Sequence, residues 1–163
     1  MKRLILMRHA KSDWDHPDLE DHERPLNERG QRSAKALGDW LRAKGYVPDQ
    51  ALVSFAQRTL ETFARLNLDL EAEVKERLYL ASPDMMYDHL LQAKGDVVLM
   101  IAHNPGSAYF ADGLVAKAPD HPRFDDYPTC ATLVADFDIN HWIELEPKTG
   151  VTVDFTVPRD LLK

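Results

Sequence analysis

The sequence predicts an α/β fold, a three-layer sandwich in which helices cover a mainly parallel sheet with an antiparallel edge strand. Two observations predict it. Short, fully apolar runs, typical of strands buried on both faces, alternate with longer segments of helical periodicity in the N-terminal part of the chain. The last two strand candidates follow each other with no helix between them, which favours antiparallel pairing.

The first strand is predicted at Leu4–Met7 and the first helix between Asn27 and Gly45. Asn27 suits an N-cap, apolar residues recur at helical spacing after it, and a glycine is a common helix stop. Between the two elements, residues 13–23 are acidic and show neither a period of 2 nor one of 3.6. This stretch is therefore predicted to be a surface loop.

The middle of the chain repeats the pattern of a strand followed by a helix. Ala51–Val53 is a short apolar strand candidate, and residues 55–66 have helical character. Ser82, followed by a proline, resembles an N-cap and opens a helix predicted to run to Gly95. Val97–Ile101 is the most apolar strand candidate, as expected of a central strand.

The C-terminal part supplies two further strands at Thr132–Phe137 and Val151–Thr156, separated by a turn around Pro147–Gly150. These are the strands for which antiparallel pairing is predicted. The sequence shows no internal repeat, low-complexity tract or linker. We therefore expect one domain spanning residues 1–163.

Composition limits the possible partners. The chain has 163 residues, 44% of them hydrophobic, enough for one compact domain that buries roughly 70% of its unfolded surface. With 27 acidic and 20 basic residues the net charge is −7, which argues against nucleic acid as a partner. No apolar run approaches the ~20 residues that cross a bilayer, so we expect a cytoplasmic protein with no membrane partner. The single cysteine, Cys130, fits a reducing compartment.

Polar residues follow three of the predicted strands. Arg8 and His9 follow the first, Arg58 lies just beyond the second, and His103 follows the most apolar one. The carboxyl ends of parallel strands meet at one edge of a sheet, so these side chains are expected to converge. A phosphoryl group would relieve repulsion among such cations by accepting charge-assisted bonds worth roughly 1.5–3 kcal/mol each. The sequence therefore predicts a phosphate-binding site.

Six short segments occur in a distinctive order. They are Leu6–Ser12, Arg24–Gly30, Ser54–Thr62, Leu78–Ser82, Ala102–Gly106 and Pro128–Thr129. In order and spacing they resemble the histidine phosphatase superfamily, and in particular its SixA-type phosphohistidine phosphatases. The resemblance covers nearly the whole chain. It implies a phosphoglycerate mutase-like fold and a single histidine phosphatase domain.

The resemblance also implies a covalent mechanism. By analogy, His9 attacks phosphorus and becomes transiently phosphorylated, while Arg8, Arg58 and His103 bind the equatorial oxygens and stabilise the transition state. His103 is expected to act protonated. His9 must be neutral at the attacking nitrogen, so its other nitrogen is expected to donate to a backbone carbonyl. Because the arginines supply positive charge, no metal or other cofactor is expected.

Further residues are expected around this site. Mutase-type relatives use a glutamate as general acid, and Glu76 is the candidate nearest in sequence order. Such an acid is typically worth ~10²–10⁴-fold in rate, and its absence harms alkoxide leaving groups most, which favours phosphoramidates such as phosphohistidine. Ser12 is expected to hydrogen-bond near the phosphate. Arg24 is expected either to pair with Asp21 or Glu20, or to lean over the pocket mouth and bind substrate.

No segment is long enough to enclose a small substrate, so we expect an open pocket and a phosphohistidine-bearing protein as substrate. Two alternatives stay open: a general phosphatase for small phosphate esters or nucleotides, and a non-catalytic phosphate-binding module. A mutase is disfavoured. For His16 and His22, which lie among acidic residues, a flexible loop is favoured over a metal site. The oligomeric state is left open, with a monomer favoured.

Overall fold

A computed structural model describes residues 1–162 and shows a central six-stranded sheet. Its strands are β1 Lys2–Arg8, β2 Gln50–Ser54, β3 Ala72–Lys75, β4 Val97–Ala102, β5 Thr132–Phe137 and β6 Val151–Thr156. Its helices are α1 Glu28–Lys44, α2 Gln57–Leu66, α3 Pro83–Leu91, α4 Gly106–Leu114 and α5 Pro158–Leu161. Single 3₁₀ turns occur at Asp21–Glu23, Glu76–Leu78 and Trp142–Glu144.

The sheet has the strand order β3-β2-β4-β1-β5-β6. Strands β3, β2, β4 and β1 are parallel, whereas β5 pairs antiparallel with both β1 and β6. The predicted α/β fold with a mainly parallel sheet is confirmed. The predicted antiparallel pairing of the last two strands is also observed. The strand antiparallel to its neighbours is β5, however, which lies one position inside the edge strand β6.

Side chains of β1 point alternately to the two faces of the sheet, and this explains why the fold has a layer of helices on each side of the sheet. Leu4 and Leu6 belong to one buried cluster, which includes side chains of α3 and α4. Ile5 and Met7 belong to the other, which includes side chains of α1 and α2. Because successive residues of a strand point to opposite faces, helices cover both faces of the sheet.

The helix boundaries largely follow the predicted capping residues. The Asn27 side chain accepts a hydrogen bond from the backbone N of Gly30 at the start of α1, and Gly45, with φ of 73°, ends that helix. Ser82 caps α3 by accepting from the backbone N of Met85. Side-chain oxygens at both N-caps satisfy backbone donors that would otherwise lack partners.

Helix α3 ends at Leu91, before the predicted end at Gly95. The physical reason is a side chain from the neighbouring strand. The Oε1 atom of Gln50 accepts from the backbone N of Lys94 at 2.9 Å and of Gly95 at 2.8 Å. These two amides therefore bind β2 instead of continuing the helix.

Three elements have no counterpart among the predicted ones: strand β3, helix α4 and the single-turn helix α5. Strand β3 has only four residues, two of them exposed, and although Ala-Glu-Val-Lys alternates between apolar and charged residues, the run is too short to stand out from the charged stretch around it. Helix α4 begins at the turn predicted at 103–106 and contains two glycines, which weaken its helical signal. Among residues 1–162, no helix combines the length and apolar character that a bilayer crossing requires.

Candidate active site

The predicted phosphate-binding residues meet at the carboxyl ends of β1, β2 and β4. The register of β1 and β4 pairs Arg8 with Ala102, so His9 and His103 leave the sheet side by side. Their ring centroids are 5.4 Å apart. Arg58, in the first turn of α2, brings its Nη2 atom to 3.4 Å from Nδ1 of His103. The structure thus places all four predicted side chains in one region.

The ring of His9 is held by the chain itself. Its Nδ1 atom lies 2.7 Å from the carbonyl oxygen of Ala10, which can only accept, so Nδ1 carries the proton. This confirms the predicted backbone contact and leaves the lone pair on Nε2. The side chain is only 7% exposed, and this burial lowers the pKa of His9 to about 3, against a weaker opposing effect of the Ala10 bond. The ring is therefore neutral near pH 7.

His103 sits between a hydroxyl and a guanidinium. Its Nε2 atom lies 2.8 Å from Oγ of Ser54, and its Nδ1 atom faces Arg58. A guanidinium can only donate, so Nδ1 of His103 accepts and Nε2 carries the proton that it donates to Ser54. Burial, with the positive charge of Arg58, lowers the pKa of His103 to about 3.

The expectation that His103 acts protonated concerns a ring beside a phosphoryl group, so it stays a prediction. The ring is neutral here because its charged form would be buried and would lie beside a cation. A phosphoryl dianion next to the ring would shift the balance, since an opposite charge within a few ångströms favours the protonated form of a histidine.

Arg58 is bound to a carboxylate from the acidic loop. Its Nη1 atom donates to the backbone oxygen of Asp21 at 2.7 Å and its Nη2 atom to Oδ2 of Asp21 at 3.0 Å. The same carboxylate accepts from Arg24 and from the hydroxyl of Tyr79. Burial raises the pKa of Asp21, but the hydrogen bonds from Tyr79 and Arg58 and the Arg58 charge outweigh it and hold this pKa well below its usual range. Asp21 is therefore ionised.

The sequence singled out Asp21 only as a partner of Arg24, and that pairing is confirmed. Its second ion pair, with Arg58, joins residues 37 positions apart and has no local sequence signal. The result is a site with two guanidiniums, two neutral imidazoles and one carboxylate. Its net positive charge suits an anion, while Asp21 competes with any ligand oxygen for Arg58.

Arg8 has spare hydrogen-bonding capacity. Its Nη1 atom donates to the carbonyl of Tyr127 at 3.2 Å, and its Nε atom is buried without a partner among residues 1–162. An arginine has five N–H donors, so most of those of Arg8 are not used within this part of the chain. Burial, followed by the charge of Arg58, lowers the pKa of Arg8. Both effects would be offset by a bound anion.

The remaining predicted residues lie around this group in different ways. Ser12 is buried and forms an isolated bridge with Leu26, and within residues 1–162 its hydroxyl makes no hydrogen bond to the four central side chains. Arg24 lies with its guanidinium carbon 3.5 Å from the ring centre of Trp14, which is 72% exposed. Glu76 is exposed at the start of its 3₁₀ turn. Its placement gives no support to a role as general acid.

An aromatic cluster borders His103. The ring of Tyr79 is 5.4 Å from that of His103 and 5.2 Å from that of Phe55, which in turn is 5.4 Å from His22. Phe55 and Tyr79 were not among the predicted site residues. These four rings come from four separate segments of the chain, so local sequence spacing could not predict their contacts.

The acidic loop shows no metal site in the part of the chain described. His16 pairs with Asp13 at 3.4 Å, and His22 with Glu20 at 3.5 Å. Among residues 1–162 no group of three or more histidine, cysteine, aspartate or glutamate side chains is arranged to hold a metal ion. The favoured interpretation of this stretch as an acidic loop is consistent with these pairs.

Comparisons with known proteins agree with this geometry. Residues 4–81 match the family described as the histidine phosphatase superfamily (branch 1). An uncharacterized protein of Mycobacterium tuberculosis, Rv1276c, is 35% identical over 161 residues, which cover 94% of this chain and 100% of that protein.

Two solved structures share the fold. One is a candidate phosphohistidine phosphatase SixA from Nakamurella multipartitia, with a TM-score of 0.83 and 24% identity over 96% of each chain. The other is the protein histidine phosphatase SixA complexed with tungstate, with a TM-score of 0.78 and 22% identity over 99% of each chain. At these identities the likeness establishes the fold.

Proposed function

This chain belongs to the histidine phosphatase superfamily, and we propose that it hydrolyses phosphohistidine carried on another protein through a phosphohistidine intermediate at His9. The observation that carries the proposal is the bond from Nδ1 of His9 to the Ala10 carbonyl. It fixes the tautomer whose Nε2 lone pair is free to attack phosphorus. Burial keeps this ring neutral, which preserves its nucleophilicity.

In the first step, Nε2 of His9 forms a bond to phosphorus while the bond from phosphorus to the substrate nitrogen breaks. The electron pair of the broken bond stays on the substrate ring. If that ring is protonated on its other nitrogen, it leaves as neutral imidazole. In the second step water attacks phosphorus, the His9–phosphorus bond breaks, and the product leaves as dihydrogen phosphate with both protons of the water. The nitrogen of His9 regains its lone pair.

Arg8 and Arg58 are proposed to bind the phosphoryl oxygens during both steps. Charge on these oxygens is stabilised by fixed guanidinium donors in a partly buried site, where such bonds are stronger than in water. Arg58 is held in place by Asp21 and lies against His103. His103 is held by Ser54, so its ring is oriented before a substrate arrives.

The acid–base properties of the site support a nitrogen leaving group. Asp21 is ionised and cannot supply a proton near pH 7, and Glu76 is exposed. An alkoxide would leave without the protonation that normally contributes ~10²–10⁴-fold. An imidazole that already carries its proton does not need that help, and the Asp21 carboxylate is compatible with its positive charge.

The openness of the site supports a substrate displayed on a folded protein. Trp14, which stacks on Arg24, is 72% exposed, and Asp21 is exposed as well. These two residues place the rim of the site at the protein surface, where a folded partner can contact it, while His9 itself is only 7% exposed.

Turnover of two substrates tests the proposal. A histidine-phosphorylated carrier protein and p-nitrophenyl phosphate are offered to the purified protein under the same conditions. We expect a much higher kcat/KM for the carrier. The His9→Ala variant gives the background, because phosphohistidine also hydrolyses without an enzyme. A higher kcat/KM for the small ester would instead favour a general phosphatase, and no turnover of either would favour a phosphate-binding module.

A further inference from the structure

A cavity lined by basic residues adjoins the proposed catalytic group through Arg8. It has a volume of about 370 Å³ and shares Arg8 with the phosphate-binding region. Three more cations, Lys11, Arg29 and Arg159, line it. We call the space bounded by these four side chains the basic cavity.

None of the four cations forms an ion pair within residues 1–162, and Arg8 donates only to the backbone carbonyl of Tyr127. Lys11, Arg29 and Arg159 are all exposed. Arg123 also reaches this cavity, but it is bound to Asp126 at 2.9 Å. In a chain with a net charge of −7, a group of unpaired cations around one cavity creates a local positive potential.

The position of Arg29 is not explained by helix stability. It lies in the first turn of α1, just after the Asn27 cap, where the helix dipole disfavours positive charge. Arg159 comes from α5, which follows the carboxyl end of β6, and Lys11 lies two residues after His9 in the motif segment. Three separate elements therefore bring cations to this place.

We propose that the basic cavity binds carboxylates of the substrate protein that lie beside its phosphohistidine. The inference rests on the proposed function and specifies its substrate as an acidic protein surface. Exposed, long side chains on separate elements suit several carboxylates spread over a partner surface. Arg8 joins the two regions, so a phosphohistidine bound at His9 would hold its neighbouring residues over the basic cavity.

The test uses two synthetic phosphohistidine peptides of identical length, one with glutamates and one with glutamines around the phosphohistidine. The readout is the ratio of kcat/KM for the acidic peptide to that for the neutral one. We expect a ratio of about ten for the native protein, which corresponds to a few exposed ion pairs, and a loss of this preference at high salt.

The double variant Arg29→Gln, Arg159→Gln should lower this ratio to about two. The matched control is Lys117→Gln, because Lys117 is also exposed and unpaired within residues 1–162 but lies near the start of β6, at the opposite end of that strand from Arg159. This control should keep the native ratio. An unchanged ratio in the double variant, or an equal loss in the control, would overturn the proposal.

Binding of the unphosphorylated acidic peptide, followed by fluorescence anisotropy, separates the two proposals. If the peptide binds the double variant more weakly than it binds the native protein and the Lys117→Gln control, the basic cavity is supported. This holds even if no phosphohistidine peptide is turned over, and in that case only the proposed function fails. Turnover of both peptides with equal kcat/KM, and equal binding to all three proteins, would reject the basic cavity and leave the proposed function intact.

Discussion

Arg58 donates two hydrogen bonds to Asp21, one to the backbone oxygen at 2.7 Å and one to Oδ2 at 3.0 Å. The guanidinium proposed to bind phosphate therefore already binds a carboxylate. An incoming phosphoryl oxygen has to share or displace that carboxylate. Asp21 consequently sets both the position of Arg58 and the strength with which it binds an anion.

Asp21→Asn should bind inorganic phosphate more tightly than the native protein does. The substitution removes a negative charge that competes for Arg58, while the backbone bond to Arg58 remains. We expect an inhibition constant for phosphate about tenfold lower, equivalent to roughly 1.4 kcal/mol. The measurement is inhibition of turnover by added phosphate.

The matched control for this experiment is Asp39→Asn, which removes another ion-paired carboxylate, bound to Lys35 and Arg42 on α1. It should leave the inhibition constant unchanged. Weaker phosphate binding by Asp21→Asn would show that Asp21 acts chiefly by holding Arg58 in place.

His9→Ala should lose turnover and retain part of its phosphate affinity. The proposed nucleophile is removed, whereas Arg8 and Arg58 keep their contacts with Tyr127 and Asp21. We expect turnover at least ~10³-fold lower, as is typical when a nucleophile is deleted. Calorimetric titration with phosphate measures the remaining affinity. Native-like turnover in this variant would exclude a covalent role for His9.

Stability should fall as the pH is lowered from about 7, because burial lowers the pKa of both His9 and His103 to about 3 from the ordinary 6.5. Between these values the unfolded chain binds more protons than the folded one. The contribution of the two neutral histidines to the free energy of unfolding is therefore complete above pH 6.5. It is lost as the pH falls towards 3, by up to ~1.4 kcal/mol per pH unit for each histidine. Urea unfolding at several pH values between 7 and 4.5 measures this slope. His103→Gln should flatten it, and an unchanged slope would contradict the buried, neutral ring.

The close approach of α1 to the segment after His9 can be tested at Gly30. A Cβ atom there would lie 2.2 Å from the carbonyl oxygen of Lys11, so Gly30→Ala should cost roughly 1–3 kcal/mol in the free energy of unfolding. Gly113→Ala is the matched control, because nothing lies within 4 Å of its added Cβ and it sits in α4. It should be neutral or stabilise by up to ~1 kcal/mol. Equal effects of the two substitutions in urea unfolding would argue against the tight contact.

The parts of the fold that follow from local chemistry were predictable from the sequence. Apolar strands and side-chain caps such as Asn27 and Ser82 act within a few residues, and the structure confirms them. Strand β3 was missed because it is short, charged and partly exposed at the edge of the sheet. The early end of α3 depends on Gln50, which is distant in sequence.

The site shows the same division between local and distant contacts. The convergence of His9 and His103 follows from the rule that parallel strands share a carboxyl edge. The pairing of Asp21 with Arg58 and the neutral state of His103 depend on burial and on contacts between distant segments, which no local pattern records.

The central claim is that His9 carries the phosphoryl group during turnover. The most direct test is to mix the protein with a ³²P-labelled phosphohistidine carrier, quench within milliseconds in alkali, and map the label by peptide sequencing. A phosphoramidate, stable in base and labile in acid, is predicted on the peptide that contains His9 and absent from the His9→Ala variant. Rapid release of phosphate with no label on the protein, or a label that persists in His9→Ala, would contradict the account.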